Sequence, residues 1–111
     1  MQVLRLALRS AGFEVIGATN GGQALQEMDR SQVEVVMLDL GLPDGRAGDV
    51  LARLRRHEGQ SSPGWLALSA LDPGDAEKRY GPLGDRLVPK PFDAWKTVRQ
   101  IEGLLRGPGR R

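Results

Sequence analysis

The chain has no cysteine, a single histidine, and among aromatics only two tryptophans, two phenylalanines and one tyrosine. Without cysteine there is no disulfide, no thiolate nucleophile and no Cys-based zinc site. That composition fits a reducing compartment. No apolar run approaches the roughly 18 residues that a membrane span needs. Arg5 and Arg9 interrupt the first apolar stretch, so a signal peptide is not expected and the cytoplasm is the default. Charge of one sign is also scarce, at a net +2. Arg53, Arg55 and Arg56 fall at helical spacing around Leu54 and read as a solvated helix face. A nucleic-acid or membrane patch is the less favoured reading. His57, in a polar helix end, also reads as solvated. No internal repeat is present.

What is there is ordinary globular sequence, 40% apolar and 27% charged. At 111 residues it is long enough for one core and one domain. Residues 1–106 are expected to fold, with 107–111 (Gly-Pro-Gly-Arg-Arg) a disordered tail or the start of a linker.

The spacing predicts alternating helices and strands. Val3, Leu4, Ala7, Leu8 and Ala11 form one helical stripe, with Gly12 placed to end it. Phe13 to Ile16 reads as a short strand. Asn20-Gly21-Gly22 opens a second helix carrying Ala24, Leu25 and Met28. Val33 to Leu38 is nearly continuous apolar sequence, as in a strand buried on both faces of a parallel sheet. After the turn-rich Gly41 to Gly45, Val50, Leu51 and Leu54 mark a third helix, ending near Gly59. Trp65 to Ser69 reads as another buried strand, and Asp75 to Tyr80 as a short polar helix. Leu87-Val88 is a brief last strand, and Phe92, Trp95, Val98, Ile101 and Leu105 space out a terminal helix. Both tryptophans are expected in the core. The fold class is therefore α/β, a parallel sheet with helices on both faces. One feature is odd: the pattern starts with a helix, whereas each helix of such an array normally follows a strand.

Ligands of open parallel sheets gather at the carboxyl ends of the strands. There the chain places Asp39, Ser69 and Lys90: a carboxylate, a hydroxyl and an ammonium. Lys90 precedes Pro91, which biases its backbone to an extended conformation. Each alone also has a plain structural reading, as turn residue, strand-end hydroxyl or surface lysine. Three complementary groups at successive strand ends favour a site.

The segments Val36-Met37-Leu38-Asp39-Leu40-Gly41-Leu42-Pro43-Asp44-Gly45, Leu68-Ser69-Ala70 and Val88-Pro89-Lys90-Pro91-Phe92 resemble the receiver domain of two-component response regulators. The resemblance covers roughly residues 3–106, with the motifs in the family's order. It implies a flavodoxin-like doubly wound sheet in phosphorelay signalling. Asp39 would accept a phosphoryl group from a histidine kinase or phosphotransfer protein, as a nucleophile forming an acyl phosphate. Lys90, Ser69 and Ala70 match the positions that contact the phosphoryl group, Ser69 being the switch hydroxyl. The backbone carbonyl of Gly41 matches a ligand of Mg²⁺, and Pro43 and Gly45 match the turn shaping that loop. An effector protein or a second copy are the further partners implied, with no turnover of a diffusible substrate.

The chain departs from the family pattern in three places. The first strand, with the adjacent acidic pair that helps hold Mg²⁺, is missing, so an N-terminally shortened receiver is expected. Only Asp39 is then assignable as a metal carboxylate, since Glu14 and Asp44 are not expected in the right place. The switch position usually filled by an aromatic is Leu87, and Tyr80 does not align with it. Finally, Pro73, Gly74, Gly81, Pro82 and Gly84 weaken the helix before Lys90. The alternatives are a pseudo-receiver acting by protein contact alone and a haloacid-dehalogenase-like phosphatase. Gly41 opposes the latter, standing where such enzymes usually carry a second Asp. A flavodoxin-like FMN carrier is disfavoured by the lack of a phosphate loop after a first strand.

Overall fold

Three strands and five α-helices, two of the helices ahead of the first strand, make up the regular structure of the residues that the computed structural model describes, 2–56 and 63–105. The strands β1 (Val35–Asp39), β2 (Gly64–Ser69) and β3 (Leu87–Pro89) are parallel, in the order β1-β2-β3. Their register pairs Asp39 with Leu68, Leu68 with Val88, and Ser69 with Pro89. All three therefore finish at one rim. Parallel neighbours need a crossover. It is supplied by α3 (Ala47–Arg56) between β1 and β2 and by α4 (Pro73–Tyr80) between β2 and β3.

The period-two alternation of the strands divides the core into two layers. Trp65 and Ala67 of β2, with Leu38 of β1, join Val50, Leu51 and Leu54 of α3; α2 (Gly21–Arg30) packs there through Ala24, Leu25 and Met28. Leu66 and Leu68 face the opposite way, toward Leu4, Ala7 and Leu8 of α1 (Gln2–Ser10) and Val98 and Ile101 of α5 (Ala94–Leu105). Helices thus cover both faces, as the apolar runs predict. On α1 the buried stripe is narrower than expected, because Val3 and Ala11 are exposed. The helix ends through Gly12 at φ +95°, with Phe13 N–H donating to Leu8 O and Gly12 N–H to Arg9 O. That is a Schellman closure, which favours glycine at the left-handed position.

Other sequence expectations need correction. Phe13 to Ile16 is not a strand: it pairs with nothing in the sheet. A groove of about 1080 Å³ is lined both by these residues and by β1. Leu4, Leu8 and Ile101 wall it from one layer, and Ala24, Val36 and Leu38 from the other. No ladder partner is within reach of Phe13 to Ile16, and β1 is left half-buried instead of covered on both faces. β1 also begins later than the apolar run, at Val35. Trp65 is buried as expected, but Trp95 is 55% exposed. The terminal helix buries Thr97, Val98 and Ile101 instead, and Phe92 precedes it. Pro73 does not weaken α4. It occupies the first turn, where its missing N–H costs nothing, behind an Asp72 cap that accepts from Gly74 N–H. Nor are the arginines of α3 all solvated: Arg53 pairs with Asp29, and Arg55 is tied into the site below. His57, Gly59 and the tail 107–111 lie outside the described residues.

Candidate functional site

The rim is built by backbone bonds that extend the ladder past the strands. Leu40 N–H donates to Leu68 O at 2.9 Å, and Lys90 N–H to Ser69 O at 2.8 Å. These bonds carry Asp39, Ser69 and Lys90 to one end of the sheet. There the Lys90 ammonium donates to Asp39 Oδ2 at 2.7 Å, and Gly41 N–H donates to Asp39 Oδ1 at 2.8 Å. Both oxygens of the carboxylate are therefore engaged, one by a cation and one by a backbone dipole. The two side chains keep 32% and 26% of their surface open, so the pair is reachable from solvent. The Lys90–Pro91 bond is cis.

Ser69 is 2% exposed, and its Oγ accepts from Leu71 N–H at 2.9 Å. Its hydroxyl thus braces the loop after β2, while Ala70 beside it is exposed. Leu87 is half-buried in the layer that contains α3. Asp44 is not a spare acid. Its carboxylate accepts from the N–H groups of Gly21, Gly22 and Arg46 at 3.0, 3.1 and 3.2 Å, fastening the loop after β1 to the start of α2. Desolvation raises its pKa, but backbone donors, Gly21 first and then Gly22, Arg46 and its own N–H, together outweigh it and hold the carboxyl below the usual value. Gly45 follows at φ +70°, a left-handed turn that a side chain would strain.

Three partners of the site were not legible as such in the sequence. Tyr80, the only tyrosine, donates its hydroxyl to Leu40 O at 3.2 Å. Arg55 donates to the carbonyls of Tyr80 and Pro82. Glu77 accepts from Leu83 and Gly84 N–H, and these donors hold its carboxyl below the usual value against a smaller desolvation penalty. Tyr80 and Arg55 act on backbone groups far away in sequence, and Glu77 on the turn that follows its own helix, so no helical or strand spacing reports them.

The family model for the response regulator receiver domain matches residues 1–102. The chain belongs to this family. Among relatives, this receiver domain is 37% identical over 108 residues to sensory transduction protein RegX3 of Mycobacterium bovis, covering 96% of the chain and 46% of that protein. It is 33% identical over 111 residues to the probable transcriptional regulatory protein TcrX of Mycobacterium tuberculosis, covering 97% and 46%. The receiver domain thus spans about half the length of these relatives. Among solved structures, a putative response regulator from Chloroflexus aurantiacus superposes with a TM-score of 0.79 at 27% identity, covering 96% of this chain and 88% of that one. The fold is the flavodoxin-like α/β arrangement of receivers. In this family the mechanism is phosphorylation of an aspartate in two-component signalling, generally with Mg²⁺. Among the described residues no helix is long and apolar enough to cross a membrane.

Proposed function

We propose that this receiver domain takes a phosphoryl group on Asp39 from a histidine kinase or phosphotransfer protein in the cytoplasm. It then works as a switch on an effector, without turning over a diffusible substrate. The observation that supports this most is the Asp39 carboxylate at the rim, held by Lys90 on one oxygen and Gly41 on the other. A carboxylate oxygen attacks phosphorus in line while the bond from phosphorus to the donor imidazole nitrogen breaks. A donor protonated on its other nitrogen leaves as neutral imidazole, and Asp39 is left as an acyl phosphate. The Lys90 ammonium transfers from Oδ2 to the incoming phosphoryl oxygens. Ser69 Oγ, already accepting from Leu71, still has its own O–H to donate to them, which links the loop after β2 to the phosphorylated state.

The residues present do not complete a magnesium site. Mg²⁺ takes six oxygens, commonly with one or two carboxylates. Asp39 brings one carboxylate and Gly41 a carbonyl, while Asp44 is committed to α2. Among the described residues no three His, Cys, Asp or Glu side chains cluster to hold a metal. Charge between carboxylate and phosphoryl group is then offset mainly by Lys90, and uptake is slow. The same shortage favours a second reading, a pseudo-receiver that acts by contact alone.

The groove beside β1 fits an additional strand joined to α1. Glu34 O and Leu40 N–H serve β2, so by alternation the N–H and C=O of Val35, Met37 and Asp39 face the groove. Residues 13–19 lead from Gly12 toward Asn20 and the Asp44 end of β1, so α1 runs the opposite way and Gln2 stands near the rim. A strand entering α1 there would run parallel to β1 and finish beside Asp39. N-terminal sequencing of the native protein tests this: residues ahead of Met1 support it, and a start at Met1 opposes it.

The phosphoacceptor reading is tested by incubating wild type and Asp39→Asn with a small phosphodonor, with and without Mg²⁺, and measuring intact mass. One phosphoryl group on wild type alone supports it. No adduct on either protein favours the pseudo-receiver, and release of free phosphate over many turnovers would point to a phosphatase.

A further inference from the structure

We propose that Tyr80 is a positioning residue for Asp39, acting through the peptide plane between Leu40 and Gly41; this rests on Asp39 being the phosphoacceptor. That peptide unit is rigid and planar, with its C=O and N–H pointing to opposite sides. Its N–H, from Gly41, donates to Asp39 Oδ1 at 2.8 Å. Its C=O, from Leu40, accepts the Tyr80 hydroxyl at 3.2 Å. Tilting the plane to lose one bond strains the other. The preceding plane is fixed separately, because Leu40 N–H is spent on Leu68 O. Donation to the carbonyl also polarises the amide and strengthens its N–H as a donor. The hydroxyl of α4 thereby sets where the carboxylate of β1 points.

Tyr80 is itself held firmly enough to do this. Arg55 of α3 donates one guanidinium nitrogen to the Tyr80 carbonyl and the other to Pro82 O at 2.8 Å. The Tyr80 ring packs against the layer containing Val50, Leu51 and Leu54. Arg55 also stands 5.7 Å from the centre of the Trp65 ring. An unbroken series of contacts therefore runs from α3 through the end of α4 to the nucleophile. In-line attack depends on carboxylate orientation, so a few tenths of an ångström at Gly41 are felt in the rate. The same series couples the end of α4 to movement of the loop after β1.

The test is Tyr80→Phe, which keeps the ring and its packing and removes only the hydroxyl. Two readouts are taken on the full chain: hydrogen exchange of the Gly41 amide by NMR, and the rate of adduct formation with a small phosphodonor. The expected result is Gly41 exchange faster by about three- to tenfold, the worth of one ordinary hydrogen bond, with uptake slowed by a similar factor. Amides of β2, such as Leu68 and Ser69, should keep wild-type exchange. Unchanged Gly41 exchange would overturn the proposal. So would a uniform rise across α4 and the sheet, which marks a merely structural role. If wild type takes up no phosphoryl group, the phosphoacceptor reading fails, and Gly41 exchange still decides the role of Tyr80.

Discussion

The contact between Asp39 and Lys90 makes a quantitative prediction about stability. The two charges are 2.7 Å apart and expose 26% and 32% of their side chains. Coulomb's law at that separation gives roughly 1.5 kcal/mol in bulk water and roughly 6 kcal/mol at an effective dielectric of about 20. Desolvation of both groups and the entropy of fixing a lysine oppose this gain, and fully exposed pairs retain only about 0.2–1 kcal/mol. A pair two-thirds covered should sit at or just above that range, at about 1 kcal/mol and below about 2 kcal/mol. Asp39→Asn and Lys90→Met isolate it. Asparagine keeps an oxygen to accept from Gly41 N–H, and methionine keeps much of the aliphatic stem. Urea unfolding of wild type, both single variants and the double variant closes the cycle, and added salt should shrink the coupling modestly. A coupling indistinguishable from zero, or repulsive, would refute the pairing on which the account of the site is built.

Other consequences follow from the same contacts. The carboxyls of Asp44 and Glu77 sit below their ordinary values of 3.8 and 4.5. A carboxyl depressed by folding stabilises the native state above its unfolded pKa and loses that contribution as pH falls toward its folded one. Stability should therefore decline below about pH 5, and Glu77→Gln should flatten that decline in acid-unfolding curves. A Cβ at Gly21 would meet Arg46 Cβ at 2.7 Å and its carbonyl at 3.1 Å. Gly21→Ala should cost about 1–3 kcal/mol in urea unfolding and move the Asp44 pKa up toward its ordinary value in an NMR titration. Leu51, 1% exposed between α3 and the sheet, should cost about 2–5 kcal/mol when cut to alanine.

The sheet and its rim were legible because they rest on local signals. Continuous apolar runs at Val35 to Leu38 and Trp65 to Leu68 mark strands, the second buried and the first half-buried, and the residue after each run lands at the rim by simple counting. Asn20 and Gly12 announce the ends of their helices through side-chain and backbone chemistry that operates within a few residues. Phe13 to Ile16 carried the same apolar signal yet forms no ladder, because a strand needs a partner and pattern alone does not supply one. Trp95 misled for a related reason: its helical spacing is right, but Val98 and Ile101 already fill the face toward β2. Pro73 was misjudged by composition where position matters. The bonds from Tyr80 to Leu40 and from Arg55 to Tyr80 span tens of residues and join side chains to carbonyls, which leave no periodicity to read.

The most direct test of the central claim is chemical localisation of the phosphoryl group. The protein is treated with a small phosphodonor and Mg²⁺, reduced with borohydride, which converts an acyl phosphate to an alcohol, and digested for peptide mass spectrometry. Homoserine is expected at position 39 and at no other aspartate. Reduction at a different carboxylate, or at none while the protein remains folded, would contradict it.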